Sequence, residues 1–421
     1  MNRWDASSAR LSGSLVVMAV AGASVLAASA CSSGAAGAQG TGQRTGPRPA
    51  AQLTVVPANG ARDVRPGAGV TVTAADGKVR DVIVRTAGDP VAGRLNSGGS
   101  VWRSMAPLSP SRRYTVTATA VGPGGKTVTT TSSFSTLRPR RTFSATILET
   151  YHQRYGVGMP IVLTFDRPIT NRAAVERSLS LTTSRPVIGA WYWDGNQTVE
   201  FRPKVYWPAG TRVSVTARFT GVEGARGVYG TRDLHQAFSI GPSLIVRAST
   251  RTHYMNVYYK GRLFGHWAIS TGRPGDDTSD GRYLTIEKAN PTFMKGPGYA
   301  LWVPWAVRFT WSGEYIHDAY WSVWAQGSVN VSHGCVNTSP AHAETYYKME
   351  LPGDPVIVTG SPVPGTWDNG WTEWFLSWKQ LLLGSALQEA VSAGPDGSSF
   401  ITPDVLQPAT QLPGRLLHAI G

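Results

Sequence analysis

The chain has 421 residues, with 40 Lys and Arg against 26 Asp and Glu, which gives a formal net charge of +14. The basic residues are scattered over all segments and form no stripe, so the charge does not indicate a nucleic-acid-binding protein. The length predicts about three domains.

The N-terminus has the features of an export signal. Arg3 and Arg10 flank a short basic region, and an uncharged run rich in Leu, Val and Ala extends over residues 11–28. Small residues and then Cys31 follow this run. The pattern predicts a signal peptide over residues 1–30 and therefore an exported protein. A basic protein in that compartment is suited to meet anionic cell-wall polymers or lipid headgroups.

Cys31 is the expected lipidation site. Cleavage before it would leave a cysteine that can be acylated, although Ala28 and Ala30 equally suit an ordinary signal peptidase. We expect the lipoprotein form, held by its acyl chains at the outer face of the cell membrane, next to the cell wall. Residues 31–50 are rich in Ser, Gly, Ala and Pro, which predicts a flexible tether.

Residues 51–140 and 141–242 predict two tandem immunoglobulin-like β-sandwiches. Both contain short runs of β-branched residues between Gly and Pro turns, without helical periodicity. Val116-Thr117-Ala118 in the first is echoed by Val215-Thr216-Ala217 in the second. Neither carries a cysteine pair or a polar cluster, so we expect spacers. Carbohydrate binding by the second module stays open, although aromatics at strand spacing are more often core residues; its four close aromatics are Trp191, Tyr192, Trp193 and Trp207.

Residues 243–361 form the third predicted domain. Strand patterns alternate there with polar loops, and Ser339-Pro340 marks the start of one short helix. The stretch from Ala289 to Pro304 is interrupted by Gly and Pro and carries several aromatics, which predicts a mobile loop.

Cys335 is the strongest candidate for a reactive group. It is one of two cysteines in the chain, and it stands in the stretch Ser332-His333-Gly334-Cys335-Val336-Asn337. The body of the protein offers it no disulfide partner, and a lone thiol among small polar residues of an exported protein indicates a nucleophile. A buried cysteine that acts as a small hydrophobe is the alternative, but its neighbours are poor core material.

This motif resembles the signature of the L,D-transpeptidase catalytic domain, the YkuD fold. His317 is followed by 14 residues and then by the Ser332–Asn337 motif, and a similar Ser-Thr-Gly-x-Pro loop begins at Ser270. With two sandwich modules and a Trp-rich tail, the whole chain resembles the actinobacterial lipoprotein subgroup. The resemblance implies an enzyme that joins the third residues of two peptidoglycan stem peptides and that carbapenems acylate at cysteine. No cofactor or metal is expected.

The resemblance assigns roles to the catalytic residues. Cys335 would be the nucleophile, and His317 the base, with its second ring nitrogen held by the main-chain carbonyl of Asp318. The main-chain N–H groups of Gly334 and Cys335 would stabilise the oxyanion. His333 lies two positions from Cys335, so on an extended strand it shares a face with the nucleophile and would orient substrate.

The same resemblance assigns a substrate groove. Trp321 equally suits ordinary core packing, and Asn337 equally suits a turn cap. The expected groove residues are Tyr299, Ser312, Gly313, Trp321, Ser332, His333 and Asn337.

The sequence also leaves open two other functions and a metal site. Water attack on the same acyl-enzyme would make an L,D-carboxypeptidase, whereas a lid formed by residues 299–305 would favour amine transfer. A non-catalytic wall-binding lipoprotein would require an unreactive Cys335. A zinc site lacks the usual ligand spacing; its candidate ligands would be His317, His333, Cys335 and His342.

The C-terminal part predicts a Trp-rich subdomain over residues 362–387. Its tryptophans recur every three or four residues, which predicts one face of a helix that packs back on the catalytic domain; they are Trp367, Trp371, Trp374 and Trp378. Residues 388–421 have a weak pattern and are expected to form a loosely ordered tail. The complete prediction is a mainly β protein: two immunoglobulin-like sandwiches, a β-rich catalytic domain with a short helix, and the Trp-rich subdomain.

Overall fold

The computed structural model describes residues 50–403, apart from Asp89 and Pro297. The expected signal peptide, Cys31 and nearly all of the tether lie outside the described residues, as does the tail from residue 404. Within the described part, no helix is long and apolar enough to cross a membrane.

The first domain is a sandwich of two antiparallel sheets. Its strands alternate inward apolar and outward polar residues, the two-residue period of a half-buried strand, and Val116, Ala118 and Ala120 are fully buried. The strands are β1 (Gln52–Val56), β2 (Thr71–Ala75), β3 (Lys78–Arg85), β4 (Gly93–Leu95), β5 (Val101–Ser104), β6 (Arg113–Val121) and β7 (Thr127–Ser135). The sheet orders are β1-β2-β5-β4 and β3-β6-β7. Two 3₁₀ turns lie at Pro66–Ala68 and Pro123–Gly125.

The second domain is also a sandwich. Its elements are β8 (Arg141–Phe143), β9 (Ala145–Ile147), β10 (Arg154–Tyr155), β11 (Ile161–Phe165), α1 (Arg172–Arg177), β12 (Leu179–Thr183), β13 (Val187–Asp194), β14 (Thr198–Pro203), β15 (Arg212–Ala217), β16 (Glu223–Ala225), β17 (Val228–Gly230) and β18 (Leu234–Ile240). The strands β10-β18-β15-β12 form one sheet, and β16-β17-β8 form a small one. Trp191, Trp193 and Trp207 are buried in the core of this domain. These three tryptophans are therefore core residues, whereas Tyr192, the fourth aromatic, is half-buried against Trp367 with ring centroids 5.5 Å apart.

The third domain contains two sheets and a separate hairpin. Its elements are β19 (Leu244–Ser249), β20 (Tyr254–Tyr259), β21 (Arg262–Ala268), β22 (Gly281–Leu284), β23 (Glu287–Ala289), β24 (Thr292–Gly296), β25 (Tyr299–Val303), β26 (Ala306–Arg308), β27 (Tyr315–Asp318), β28 (Val336–Thr338), α2 (Pro340–Met349) and β29 (Pro355–Thr359), with a 3₁₀ segment at Tyr320–Ala325. The sheet orders are β21-β20-β19-β29-β22 and β23-β26-β27-β28, and β24 pairs only with β25.

The core of the third domain fixes the strands that carry the chemistry. Fully buried residues of both sheets, among them Val246, Val307, Ile316 and Val336, belong to one apolar cluster. Burial of each such side chain stabilises the fold by about 1.5–3 kcal/mol. The helix α2 begins as the sequence predicts, because the Ser339 side chain accepts a hydrogen bond from the N–H of His342 and Pro340 occupies the first turn.

The C-terminal segment differs from the prediction. The helix expected across the four tryptophans does not form; only a 3₁₀ turn at Glu373–Phe375 and the short helix α3 (Trp378–Leu383) are helical. Asn369 and Gly370 explain the break, since Gly370 has a φ of 127°, which is outside any helix.

Part of the expected loose tail is instead a β-hairpin. The strands β30 (Ala390–Gly394) and β31 (Gly397–Ile401) extend a sheet of the second domain, in the order β31-β30-β13-β14-β11-β9. Small residues such as Ala390 and Ala393 give a weak sequence pattern, and the edge of β13 supplies the partner that makes them strands.

Residues 362–401, the C-terminal strap, join the second and third domains. The Trp374 indole N–H donates to the Gly158 carbonyl of the second domain at 2.8 Å. The neighbouring Phe375 packs on Tyr283 of the third domain, with ring centroids 5.2 Å apart. The two domains also meet directly, since the N–H of Gly158 donates to the Gly353 carbonyl at 2.9 Å.

Candidate active site

Two adjacent parallel strands bring the nucleophile and the base together. The strands β27 and β28 pair with Ile316 opposite Val336 and His317 opposite Asn337. Side chains alternate along a strand, and opposite residues share a face. Cys335 directly precedes β28, and it lines the same face as His317.

A groove of about 290 Å³ opens on that face. Most of the predicted substrate residues line it together with the catalytic pair. Its lining is Met294, Tyr299, Leu301, Val303, His317, Trp321, Ser322, Trp324, Val331, Ser332, His333, Cys335 and Asn337.

The ring of His317 is held in one tautomer. Its Nδ1 lies 2.7 Å from the main-chain oxygen of Asp318, which is the partner that the resemblance implied. A carbonyl oxygen can only accept, so Nδ1 carries the proton and Nε2 is left as the unprotonated base. Complete burial lowers the pKa of His317 to about 4, although the bond to Asp318 opposes this, so the ring is neutral at physiological pH.

The thiol of Cys335 is also neutral in the free enzyme. Burial raises its pKa to about 12, with a smaller contribution from the nearby Glu314, while the N–H of Tyr315 donates to the sulfur and opposes the shift. The sulfur lies 3.8 Å from the carbonyl oxygen of Gly313. The site therefore holds a thiol and a neutral imidazole, and the proton moves when the sulfur attacks.

The main chain around Cys335 differs from the prediction in one respect. The N–H of Gly334, expected to bind the oxyanion, donates instead to the Ser332 hydroxyl at 3.2 Å. The same hydroxyl donates to the Cys335 carbonyl at 2.6 Å, so Ser332 braces the loop internally. Among the described residues the Cys335 N–H has no hydrogen-bond partner, which leaves it as the main-chain donor for an oxyanion.

One wall of the groove is the lid, the hairpin formed by β24 and β25. Tyr299 packs its ring against His333 at 4.8 Å, and Met294 and Leu301 add apolar surface to the groove. On the outside of the hairpin, Phe293 and Trp302 are exposed and in contact with each other. The loop predicted to be mobile thus contains a two-stranded hairpin that lines the groove together with the nucleophile.

The remaining predicted groove residues have different positions. Trp321 packs against the His317 ring at 5.9 Å and lines the groove. Asn337 also reaches the groove, but its amide donates to the Ser322 hydroxyl at 2.9 Å and so secures the segment that carries Trp321. Ser312 lies outside the groove, where its hydroxyl accepts from the Asn369 amide of the strap.

Sequence reasoning missed two polar residues beneath the nucleophile. Glu314 is buried, its Oε1 accepts from the Ser279 N–H at 2.9 Å, and burial raises its pKa. The Thr278 hydroxyl donates to the Gly334 carbonyl at 2.7 Å. Thr278 lies in the loop that begins at Ser270, and no sequence pattern distinguishes it from the other polar residues of that loop.

The structure gives no support for a zinc site. Within residues 50–403 as described, no three His, Cys, Asp or Glu side chains are grouped to hold a metal ion. His342, one of the proposed ligands, stacks on Trp267 with ring centroids 4.6 Å apart.

Comparisons with known proteins identify the domains of this chain and its relatives. Residues 243–358 match the L,D-transpeptidase catalytic domain (YkuD), and residues 61–223 match the bacterial Ig domain (Big_10). The chain is 36% identical over 354 residues to L,D-transpeptidase 5 of Mycobacterium tuberculosis H37Rv, across 81% of this chain and 78% of the relative. It is 35% identical over 349 residues to L,D-transpeptidase 2 of Mycobacterium tuberculosis strain CDC 1551. That match covers 80% of this chain and 85% of the relative.

Solved structures include an L,D-transpeptidase in complex with imipenem. That structure is 35% identical in sequence to this chain, with a TM-score of 0.45. The match covers 52% of this chain and 100% of the solved chain. The long matches to the curated relatives confirm the predicted resemblance, the mainly β fold class and the enzyme class. The chain belongs to the L,D-transpeptidase family.

Proposed function

We propose that this enzyme forms 3-3 cross-links in peptidoglycan through a thioester on Cys335. The sulfur attacks the carbonyl of the third residue of a donor stem peptide, and its proton passes to Nε2 of His317. The fourth residue leaves as an amine that takes this proton. An amine on the third residue of the acceptor stem then attacks the thioester and releases the thiol as the new amide forms.

One observation carries this proposal. His317 lies on β27, and Cys335 directly precedes the parallel strand β28 and lines the same groove, while the Asp318 carbonyl fixes the imidazole with Nε2 unprotonated. A nucleophile, an oriented base and a main-chain N–H donor are the parts that acyl transfer from an amide requires.

The lid favours transfer to an amine over hydrolysis. Its apolar residues Met294 and Leu301 face the groove, together with the ring of Tyr299. An apolar cover lowers the access of water to a thioester, whereas a bound acceptor brings its own nucleophile. Cross-linking is therefore proposed as the main activity, and trimming of tetrapeptide stems as the competing outcome.

The reaction test uses purified enzyme and a disaccharide–tetrapeptide donor. We expect dimers that fragment at a bond between two third residues, measured by liquid chromatography and tandem mass spectrometry. Folded Cys335→Ala is expected to produce neither dimer nor tripeptide. Normal turnover by that variant would refute the cysteine mechanism, and tripeptide as the sole product would assign the chain to stem trimming.

Carbapenems are proposed as covalent inhibitors of this chain. A related L,D-transpeptidase has been solved in complex with imipenem. Cys335 is the one free thiol among the described residues, and it opens into the groove. Intact-mass measurement after incubation with imipenem is expected to show one adduct on the wild type and none on Cys335→Ala. An adduct on that variant would place the reactive group elsewhere.

The cellular location is a further proposal, supported by the sequence alone. The basic N-terminus, the apolar run and Cys31 are typical of an exported lipoprotein. We place the enzyme on the outer face of the cell membrane, held by acyl chains on Cys31. Fractionation of cells that express Cys31→Ala is expected to move the protein out of the membrane fraction, and unchanged membrane retention would refute the anchor.

A further inference from the structure

The loop between β21 and β22 reaches under the nucleophile through Thr278. The Thr278 side chain is 1% exposed, and its hydroxyl forms two hydrogen bonds. It accepts from the N–H of Gly272 at 2.9 Å and donates to the carbonyl oxygen of Gly334 at 2.7 Å. The hydroxyl has one proton, and it is donated to the carbonyl of the peptide that joins Gly334 to Cys335.

That bond also sets the direction of the Cys335 N–H. In a planar trans peptide the C=O and the following N–H point in opposite directions. With the Gly334 oxygen held toward Thr278, the Cys335 N–H must point away from this buried loop. The two other polar main-chain groups of Gly334 and Cys335 are already bonded to the Ser332 hydroxyl.

Gly334 needs such a restraint. Its φ of 112° lies in a region that glycine adopts readily and other residues rarely do. A Cβ at Gly334 would have no neighbour closer than 3.8 Å, so the backbone conformation and not crowding accounts for glycine at this position. A buried hydrogen bond to the carbonyl is a direct way to select one orientation.

We propose that Thr278 is a positioning residue for the oxyanion site, because its hydroxyl fixes the Gly334–Cys335 peptide with the Cys335 N–H directed to the developing oxyanion. The inference rests on the proposed acylation of Cys335. Loss of the Thr278 hydroxyl should therefore slow acyl transfer. It should leave unchanged the reactivity of the thiol toward reagents that form no oxyanion.

Two reagents separate these effects. Imipenem acylates through a tetrahedral oxyanion, whereas iodoacetamide alkylates sulfur at a saturated carbon. Thr278→Val keeps the shape but removes the hydroxyl, and loss of one oxyanion donor lowers acylation by about 10²–10³-fold. We therefore expect Thr278→Val to lose about 10²-fold or more in the imipenem rate, with an iodoacetamide rate close to that of the wild type. Thr278→Ser retains the hydroxyl and is expected to restore most of the imipenem rate.

Thr285→Val is the matched control. Thr285 is fully buried, accepts from the Asp354 N–H at 3.1 Å and donates to the Leu351 carbonyl at 2.8 Å, so it has the same bonding pattern away from the groove. Its loss is expected to lower the melting temperature but not the imipenem rate. If Thr278→Val does not fold, Thr278→Ala gives the same comparison.

The outcomes are distinct. A wild-type imipenem rate in folded Thr278→Val would overturn the role of Thr278 and leave the proposed function standing. An equal fall in both rates would also overturn it, since the hydroxyl would then act on the thiol or on the fold. A wild-type enzyme that imipenem does not acylate would refute the proposed reactivity of Cys335, and the Thr278 inference with it.

Discussion

Burial sets the protonation of the two reactive side chains. It raises the pKa of Cys335 to about 12 and lowers that of His317 to about 4, so both groups are neutral between these values. The sequence assigned Cys335 as the nucleophile and His317 as the base. Because both groups are neutral, we expect the proton to be transferred as the carbon–sulfur bond forms.

His317→Ala is predicted to slow acylation by imipenem by about 10²–10⁴-fold at neutral pH, the usual range for general-base assistance. In the wild type, acylation should fall as the pH drops toward 4, because the protonated ring cannot accept the thiol proton. In His317→Ala, the rate should rise with pH toward the thiol pKa, because hydroxide then forms the thiolate. Stopped-flow rates across pH measure both effects.

His333→Ala is the control for this prediction. His333 is exposed and packs on Tyr299 of the lid, so its loss should weaken substrate engagement without any recovery at high pH. If His333→Ala showed the pH recovery and His317→Ala did not, the base would have to be reassigned to His333.

Among the elements, the strap connects the second and third domains. Trp374 donates to the Gly158 carbonyl, lies under the Arg202 guanidinium at 4.3 Å, and packs on Tyr206 at 4.2 Å. Further along, the Glu176 carboxylate of the second domain accepts from the Ser385 hydroxyl and the Ala386 N–H. These contacts are specific, and most of them are buried.

Trp374→Ala is predicted to destabilise the protein by about 3–5 kcal/mol, the usual range for removal of a buried aromatic side chain. Trp302→Ala is the matched control, because Trp302 is 64% exposed on the lid and should change stability by no more than about 0.5 kcal/mol. Chemical denaturation of both variants measures this. Equal stability of the two variants would show that the strap contributes little.

At the scale of the whole molecule, three buried carboxyl groups lie where the strap meets the second domain. Burial, with a smaller contribution from Glu373, raises the pKa of Glu149 to about 8. Burial also raises the pKa of Glu373 to about 7 and raises the pKa of Glu200 well above its ordinary value. Arg202 is the cation nearby. The folded state therefore keeps protons that the unfolded chain releases near pH 4.5.

The sign of the pH effect follows from this difference. Between pH 4.5 and about 8 the folded state binds more protons than the unfolded state, so stability falls as the pH rises. Glu149→Gln cannot ionise and is predicted to flatten this slope by about 1 kcal/mol per pH unit. Denaturation at pH 6, 7 and 8 measures the slope, and an unchanged slope in the variant would contradict the assignment.

Among the described residues, the groove lining runs from Met294 to Asn337 and includes none from the first sandwich. Deleting residues 51–140 is therefore predicted to lower activity in cells far more than in solution, because we propose that the domain is a spacer between the membrane and the catalytic domain. Turnover on soluble stem peptides and cross-link content of cell walls are the two measurements. An equal loss in both would show that the domain shapes the active site.

The sequence alone determined the fold class and most of the site. Alternating apolar residues identify strands locally, and the spacing of His317 from the Cys335 motif is a feature of the chain itself. Ser339-Pro340 likewise predicted the start of α2, because a cap acts through its immediate neighbours. Each of these signals depends on residues close together in the chain.

Only the tertiary structure decided the rest. Residues 390–401 become strands because the edge of β13 pairs with them, and the tryptophans of the strap are placed by two domains and not by a helical period. The Gly334 carbonyl accepts from the hydroxyl of Thr278, which lies 56 positions away. Such contacts join distant parts of the chain, so no local pattern could have predicted them.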